Sequence, residues 1–237
     1  MASTGAGGRG PRAEGRRPRY ATVILDVDST LSGIEGIDWL ARRRGGDLGA
    51  RIAELTDRAM NGEIALDAVY GERLALVRPT AAELDALGEA YRAATSPGAV
   101  ETIAALARAG VRVVVVSGGI LHAILPLARM LGVPERDVHA VRVDVDARGE
   151  YAGFDVDSPL GKEGGKLVLL RALDLPRPRL GVGDGITDAE MKPALDTFAL
   201  YTAFVRREVA ARAADLEVSS FAEVLEHVLG SPPAPDA

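Results

Sequence analysis

The sequence has no cysteine and few aromatic residues, which make up 4% of its 237 residues. Without cysteine, disulfides, thiolate nucleophiles and thiolate metal ligands are excluded, so any metal ion must be held by oxygen or histidine ligands. Aliphatic side chains must fill most of the interior. The sequence also lacks an apolar run of the roughly 18 residues that a membrane-spanning helix needs. We therefore expect a cytoplasmic protein without a membrane partner.

Basic residues are outnumbered by acidic ones, and the net charge is −6. A general nucleic-acid binder normally shows a basic face, so we expect a small-molecule partner rather than a nucleic acid. Residues 1–20 are an exception, because they are rich in glycine and arginine and are predicted to form a disordered basic arm. The proline-rich residues 230–237 are predicted to be a disordered tail. A monomer and a homodimer both remain open.

Short apolar runs alternate with longer helical stretches along the chain. Predicted strands are Thr22–Leu25, 111–116, 180–182 and 198–201. Predicted helices are 98–109, 120–131, 163–173, 206–213 and 221–228. This rhythm is typical of an α/β protein with a parallel sheet. Residues 111–116 are nearly all apolar, as expected of a strand buried on both faces, and should lie near the centre of the sheet.

A long segment without strand patterns, residues 32–111, separates the first predicted strand from the next. A simple crossover between parallel strands needs far fewer residues. We therefore predict a helical insertion at residues 31–92 and a core formed by residues 21–30 and 93–229. Residues 138–154 are interpreted as a β-hairpin, because an alternating stretch leads to Gly149 and then to a short aromatic strand.

The strongest chemical signal is a pair of aspartates at the end of the first predicted strand. Asp26 and Asp28 are separated by one residue and followed by hydroxyl side chains. In open parallel sheets, ligands bind beyond the carboxyl ends of the strands. One carboxylate could therefore act as a nucleophile and metal ligand while the other exchanges protons with a leaving oxygen. The alternative is a strand end followed by an ordinary hydrogen-bonded turn.

Two glycine-rich segments follow other apolar runs. Asp184, between Gly183 and Gly185, is a candidate second metal ligand, and an ordinary turn is the alternative. Ser117 and Gly118 precede the helix predicted at 120–131. Amide groups and the dipole at a helix N-terminus can hold a phosphate, although a helix cap with a tight turn would use the same residues.

Lysine is rare, because only three of the 28 basic residues are lysines: Lys162, Lys166 and Lys192. Lys166 lies near a predicted helix start, between the serine and the Gly-Asp-Gly segments. A compact ammonium group at that place can contact a phosphate. A solvated surface position is the alternative for Lys162 and Lys192.

Taken together, these elements resemble the haloacid dehalogenase superfamily of phosphotransferases. In chain order they are Asp26-Val-Asp28-Ser-Thr30, Ser117, Lys166, and Asp184 with Asp188. The resemblance extends from about residue 20 to residue 229. It implies a Rossmann-like core with a small, mobile helical cap inserted after the first strand.

The resemblance also implies a role for each matched residue. Asp26 would form an aspartyl-phosphate, and Asp28 would be the general acid and base. Mg²⁺ would be held by Asp26, the backbone carbonyl of Asp28 and Asp184, with Asp188 in support. The phosphoryl oxygens would be held by Ser117, Gly118 and Lys166.

A narrower resemblance links the chain to those members of the superfamily that hydrolyse O-phospho-L-serine. It rests on residues 26–38, 58–62, 72–74, 117–119, 149–154, 164–166 and 183–188. By this resemblance, Glu35 and Arg73 read the amino and carboxylate groups of the serine moiety, while Met60 and Thr187 also contact the substrate. Leu66 stands where an aromatic residue is common. The implied product is L-serine, in the last step of serine biosynthesis.

Three alternatives stay open on sequence alone. The phosphoryl group could pass to another alcohol such as homoserine, or the substrate could be a related metabolite such as phosphohomoserine. In a non-enzymatic alternative, Asp26 is the phospho-acceptor of a receiver-like signalling module, and Asp28 is not needed.

Overall fold

A six-stranded parallel sheet forms the centre of the protein in the computed structural model, which describes residues 17–230. The strands of this part of the chain are β1 Thr22–Leu25, β2 Arg112–Ile120, β3 Val138–Val141, β4 Val143–Val145, β5 Tyr151–Phe154, β6 Arg179–Gly183, β7 Thr197–Tyr201 and β8 Leu216–Val218. The order in the sheet is β3-β2-β1-β6-β7-β8, and β4 and β5 form a separate antiparallel pair.

Helices cover both the sheet and its carboxyl edge. They are α1 Gly36–Arg42, α2 Leu48–Met60, α3 Leu66–Val77, α4 Ala81–Ala93, α5 Ala99–Arg108, α6 Leu121–Leu131, α7 Gly165–Ala172, α8 Ile186–Ala189, α9 Glu208–Ala213 and α10 Phe221–Leu229. Every residue of β1 is buried, as expected for a central strand covered on both faces. The predicted α/β, Rossmann-like class is confirmed.

The register of the central strands brings three polar segments to one edge. Leu25 pairs with Val115 on one side and with Val182 on the other. The residues that follow each of these positions therefore emerge together at the carboxyl ends of β1, β2 and β6. Asp26, Ser117 and Asp184 lie in these continuations. The strand pairing alone thus assembles the centre of the site.

The segment between β1 and α5 contains α1 to α4. The two connections that join this segment to the core run side by side. Ser96 N–H donates to the carbonyl of Leu31 at 2.9 Å, and Gly33 N–H donates to the carbonyl of Ala94 at 2.9 Å. Helix α4 begins with a capping box at Thr80. We call Gly36–Ala93 the helical insertion, and its entry and exit are tied side by side.

The predicted hairpin over residues 138–154 is partly wrong. Val138–Val141 joins the main sheet in parallel beside β2, and only Val143–Val145 pairs with Tyr151–Phe154. An alternating apolar pattern is compatible with pairing to the main sheet and with pairing in a hairpin. Pairing with β2 buries Val138 and Val141 in the core. Strand β8 was not predicted, and only one of its three residues is buried.

Helix α6 begins at Leu121, after β2 has continued to Ile120. Ser117 and Gly118 therefore lie at the end of a strand and not at the helix N-terminus that the sequence suggested. The predicted disordered arm lies outside the described residues for positions 1–16, as does the tail for positions 231–237. In the described part of the chain, no helix has the length and apolar character required to cross a membrane.

Candidate active site

A cavity lies between the carboxyl edge of the sheet and the helical insertion. Its lining includes all ten residues assigned from sequence to catalysis, to phosphate or substrate binding, or to primary metal binding. They are Asp26, Asp28, Glu35, Met60, Arg73, Ser117, Gly118, Lys166, Asp184 and Thr187. The supporting metal ligand Asp188 lies behind this wall, 1% exposed.

Asp26 is held by Lys166, whose Nζ lies 2.7 Å from Oδ1 of Asp26 and 2.7 Å from Oδ1 of Asp188. All three side chains are buried. Although burial lowers the pKa of Lys166, the carboxylates of Asp188 and Asp26 outweigh it and raise this pKa above its ordinary value. The lysine is therefore charged at neutral pH and can offset negative charge on a ligand beside Asp26.

Three buried carboxylates form a cluster that could hold a metal ion. Asp26, Asp184 and Asp188 each offer an oxygen, and these oxygens lie within 4.8 Å of one another. Burial, together with the nearby acidic groups, raises the pKa of Asp184, and burial raises the pKa of Asp188 to about 6. A cation would relieve this repulsion. Because all the donors are oxygens, the set suits a hard divalent ion.

Asp28 takes part in a different set of contacts. Its Oδ1 accepts hydrogen bonds from the hydroxyl of Tyr91 at 2.6 Å and from the N–H of Gly36 at 3.0 Å. Desolvation, followed by the charges of Glu35 and Asp26, raises the pKa of Asp28 well above its ordinary value. A carboxyl group with a raised pKa can hold a proton near neutral pH, as a general acid must.

Ser117 and Gly118 line the same cavity as Asp26 and Asp28. Ser117 is 1% exposed, and its Oγ accepts a hydrogen bond from the N–H of Gly119 at 3.0 Å. Because the oxygen is used as an acceptor, the hydroxyl hydrogen can be donated to an anion in the cavity. A side chain at Gly119 would crowd Asp28, since its Cβ would lie 3.1 Å from Oδ2. This end of the cavity can thus accept an anion close to both aspartates.

The other end of the cavity carries Arg73 from α3. Its side chain is 5% exposed, and one terminal nitrogen donates to Oγ1 of Thr56 at 2.7 Å. Thr56 in turn donates to Oδ1 of Asp38 at 2.6 Å. The Nε of Arg73 is buried and has no hydrogen-bond partner among the described residues. A buried donor without a partner is costly, and an anionic ligand would satisfy it.

Glu35 lies directly before α1 and lines the same cavity. Its carboxylate accepts a hydrogen bond from the hydroxyl of Ser29 at 2.7 Å. Desolvation raises the pKa of Glu35 to about 7, despite the opposing effect of that hydrogen bond. A cationic group bound in the cavity would favour the carboxylate form.

Apolar side chains and Tyr70 complete the wall on the side of the insertion. Met60 and Leu66 line the cavity, as does Tyr70 one helical turn beyond Leu66. The hydroxyl of Tyr70 donates to the carbonyl of Gly118 at 2.8 Å, and its ring packs at 5.5 Å from that of Phe154. Tyr70 therefore supplies an aromatic wall close to the place where the sequence has Leu66.

Arg207 belongs to the site but was not predicted. It is 5% exposed, and its Nε donates to Oδ2 of Asp184 at 3.1 Å while a terminal nitrogen donates to Oδ1 of Asp57 at 3.1 Å. Arg207 thus donates hydrogen bonds both to the acidic cluster and to a residue of α2. In the sequence it is one of many arginines in an arginine-rich chain, and no motif marks it. Tyr91 was also not predicted, because no motif marks it.

The class of protein follows from this fold and from a family comparison. The chain belongs to the haloacid dehalogenase-like hydrolase family, whose model matches residues 23–192. The family resemblance drawn from the motifs is therefore confirmed.

Within that family, the chain is similar to phosphoserine phosphatases. The human phosphoserine phosphatase is 34% identical over 206 residues, which cover 86% of this chain and 91% of the human protein. Two solved structures share the fold at lower identity. A phosphoserine phosphohydrolase-like protein from Francisella tularensis has a TM-score of 0.79, 22% identity and coverage of 86% of this chain and 97% of its own. A substrate-bound phosphoserine phosphatase has a TM-score of 0.73, 24% identity and coverage of 88% and 98%.

Proposed function

We propose that this protein is a phosphoserine phosphatase, which hydrolyses O-phospho-L-serine to L-serine and phosphate through an aspartyl-phosphate on Asp26. The observation that carries the proposal is the arrangement of charge along one cavity. Lys166 and Ser117 lie at the end that contains Asp26, whereas Arg73 and Glu35 lie on the side of the insertion. Phosphate, carboxylate and ammonium groups each have a complementary partner. The identity to human phosphoserine phosphatase supports the same substrate.

The reaction would proceed in two steps, in which Asp26 is the nucleophile. First, an oxygen of Asp26 bonds to phosphorus while the bond from phosphorus to the serine oxygen breaks, and that oxygen takes the proton of Asp28. Serine then leaves. In the second step, Asp28 removes a proton from water and the water oxygen bonds to phosphorus. The bond from phosphorus to the oxygen of Asp26 breaks, and its electron pair returns to the Asp26 carboxylate. Covalent catalysis divides one difficult hydrolysis into two easier steps.

The metal proposed for the acidic cluster is Mg²⁺. Asp26 and Asp184 would hold it, together with the backbone carbonyl of Asp28, and Asp188 would support it. When bound, Mg²⁺ supplies positive charge that reduces the repulsion between a carboxylate and a phosphate dianion. Lys166 supplies further positive charge from the protein itself.

Chelation of divalent ions is expected to abolish phosphate release, and Mg²⁺ is expected to restore it. The reason is that the acidic cluster repels the substrate when no cation is present. The measurement is the initial rate of phosphate release after treatment with EDTA and dialysis, followed by titration with MgCl₂. Asp184→Asn should raise the Mg²⁺ concentration that gives half-maximal activity. Full activity after exhaustive chelation would contradict the metal assignment.

Replacing Arg73 with alanine is expected to harm substrates that carry a carboxylate. A hydrogen bond to a charged group contributes about 1.5–3 kcal/mol, so kcat/KM for phosphoserine should fall by roughly 10- to 150-fold. Phosphoethanolamine has the amino group but no carboxylate, and its kcat/KM should change by less than about three-fold. The measurement is phosphate release from both substrates, with phosphothreonine and phosphohomoserine included in the screen.

Arg51→Ala is the matched control for this experiment, because Arg51 forms an exposed ion pair with Glu72 on the surface of the insertion. It should leave both substrates unaffected. Equal losses on phosphoserine and phosphoethanolamine in Arg73→Ala would show that Arg73 does not read the carboxylate. Product analysis with added homoserine separates hydrolysis from phosphoryl transfer. The cytoplasmic location and the monomeric or homodimeric state stay predictions.

A further inference from the structure

Asp28 has two carboxylate oxygens in very different surroundings. Oδ1 accepts two hydrogen bonds, from the hydroxyl of Tyr91 and from the N–H of Gly36. Oδ2 accepts neither of these bonds and lies beside Gly119, where a Cβ atom would come within 3.1 Å of it. One oxygen of Asp28 is therefore held by two protein donors, and the other is left for the reacting groups.

Tyr91 is placed for this contact by the packing of α4. Its side chain is 0% exposed, although it carries a hydroxyl group that must find a partner in the interior. A neutral phenol donates one hydrogen bond, and here the acceptor at 2.6 Å is Oδ1 of Asp28. Neither the metal cluster nor the residues at the insertion end of the cavity use this hydroxyl.

Gly36 makes room for this arrangement. A Cβ atom at this position would overlap the hydroxyl of Tyr91 and would lie 2.9 Å from its Cζ. Gly36 is the first residue of α1, so its N–H is not used within the helix and can donate to Asp28. Both donors to Oδ1 thus come from the helical insertion, one from its first residue and one from its last helix.

From this geometry we infer that Tyr91 is a positioning residue for the general acid: it fixes Oδ1 of Asp28 so that Oδ2 delivers the proton to the departing alcohol. The inference rests on the proposed phosphatase reaction and deepens it. Because both donors belong to the insertion, the acid is correctly oriented only while the insertion is seated over the sheet. Tyr91 does not contact the reacting atoms and acts through Asp28 alone.

The test uses the dependence of the reaction on its leaving group. An alkyl alcohol such as serine leaves poorly without a proton, whereas p-nitrophenolate leaves without one. The kcat/KM value covers the steps up to departure of the leaving group. In Tyr91→Phe, kcat/KM for phosphoserine should fall by about 10- to 100-fold, a part of what general acid catalysis contributes. For p-nitrophenyl phosphate it should change by less than about three-fold.

Gly36→Ala provides a second variant, because its methyl group displaces the Tyr91 hydroxyl without removing it. It should show the same selective loss on phosphoserine. In the double variant Gly36→Ala/Tyr91→Phe, the loss should be smaller than the product of the two single losses, since both changes break the same contact. The control is Tyr20→Phe, which removes a largely buried hydroxyl that bonds to Thr197 and His227.

Equal losses on the alkyl and aryl substrates, or no loss on phosphoserine, would overturn the inference. Failure of the proposed function looks different: the unchanged protein would then release no phosphate from phosphoserine. In that case the comparison is made with whichever alkyl phosphate the unchanged protein cleaves best. Melting temperatures of the variants verify that each one is folded under the assay conditions.

Discussion

Replacing Asp26 with asparagine is expected to reduce phosphoserine hydrolysis by a factor on the order of 10⁴ or more, because loss of a nucleophile removes the covalent route entirely. An amide is close in size to a carboxylate, so the cavity keeps its shape. Lys166 retains its contact with Asp188 at 2.7 Å. The loss should therefore appear in the chemical step and not in folding. Initial rates of phosphate release measure it.

Acid quenching during turnover gives a direct second readout. With phosphoserine labelled on phosphorus, the unchanged protein should carry label on residue 26, and Asp26→Asn should carry none. Asp28→Asn should carry little label from phosphoserine, because serine then lacks the general acid that it needs in order to leave. A label that persists for hours in the unchanged protein would instead support a receiver-like phospho-acceptor.

Asp137→Asn is the matched control, since Asp137 is also a buried aspartate paired with a cation. It is 3% exposed and accepts hydrogen bonds from Arg112 at 3.0 and 2.6 Å. Its substitution can lower stability but should leave kcat/KM within about three-fold of the original value, because ordinary destabilisation does not alter a folded site. A comparable loss of activity in both variants would refute a special role for Asp26.

The centre of the site could be predicted because strand order and register dictate it. An apolar strand that ends at Asp26 must place that side chain at the carboxyl edge of the sheet, and β2 and β6 pair with β1 in parallel. Ser117 and Asp184 then reach the same edge. Local pattern and global topology agree at these positions, which is why reasoning from short motifs succeeds there.

Glu35 and Arg73 were identified by resemblance and not by pattern. Glu35 directly precedes α1 and Arg73 lies in α3, and acidic and basic residues are common in this part of the chain. No spacing in the sequence distinguishes these two residues from exposed charged ones. Their burial depends on how α1 and α3 pack over the sheet, which is a tertiary property. The same holds for Tyr91, whose hydroxyl meets Asp28 from a distance of 63 positions along the chain.

The division of residues 138–154 could not be predicted for a different reason. Alternating side chains specify a strand but not its partner, and β3 and β4 are separated only by Arg142. Burial of Val141 favours the main sheet, and exposure of Asp144 suits a strand outside it. Whether a strand joins the main sheet depends on the position of α6, which the local sequence does not determine.

Replacing Lys166 with methionine is expected to be the second most damaging change, with a loss of kcat/KM of roughly 10²–10³-fold, the range for removing a group that stabilises transition-state charge. Methionine is of similar length but carries no charge. The substitution removes the cation that lies 2.7 Å from both Asp26 and Asp188. The measurement is the steady-state rate with phosphoserine at saturating Mg²⁺.

Lys192→Met is the control, because Lys192 forms an exposed ion pair with Asp215 and its side chain is 43% exposed. Such a pair contributes about 0–1 kcal/mol, and no change in activity is expected. Activity of Lys166→Met within ten-fold of the original would show that the metal alone neutralises the phosphate.

Melting temperatures distinguish the contribution of Lys166 to folding from its contribution to the reaction. Breaking a buried ion pair by removing one partner costs about 3–5 kcal/mol, so Lys166→Met should melt at a lower temperature than the unchanged protein when no metal is present. A divalent ion bound by the folded acidic cluster would restore part of that loss. Activity should not return with it, because the metal would relieve repulsion among Asp26, Asp184 and Asp188 but would not replace the ammonium group of Lys166. Recovery of melting temperature without recovery of rate would assign Lys166 to the reaction and not only to the fold.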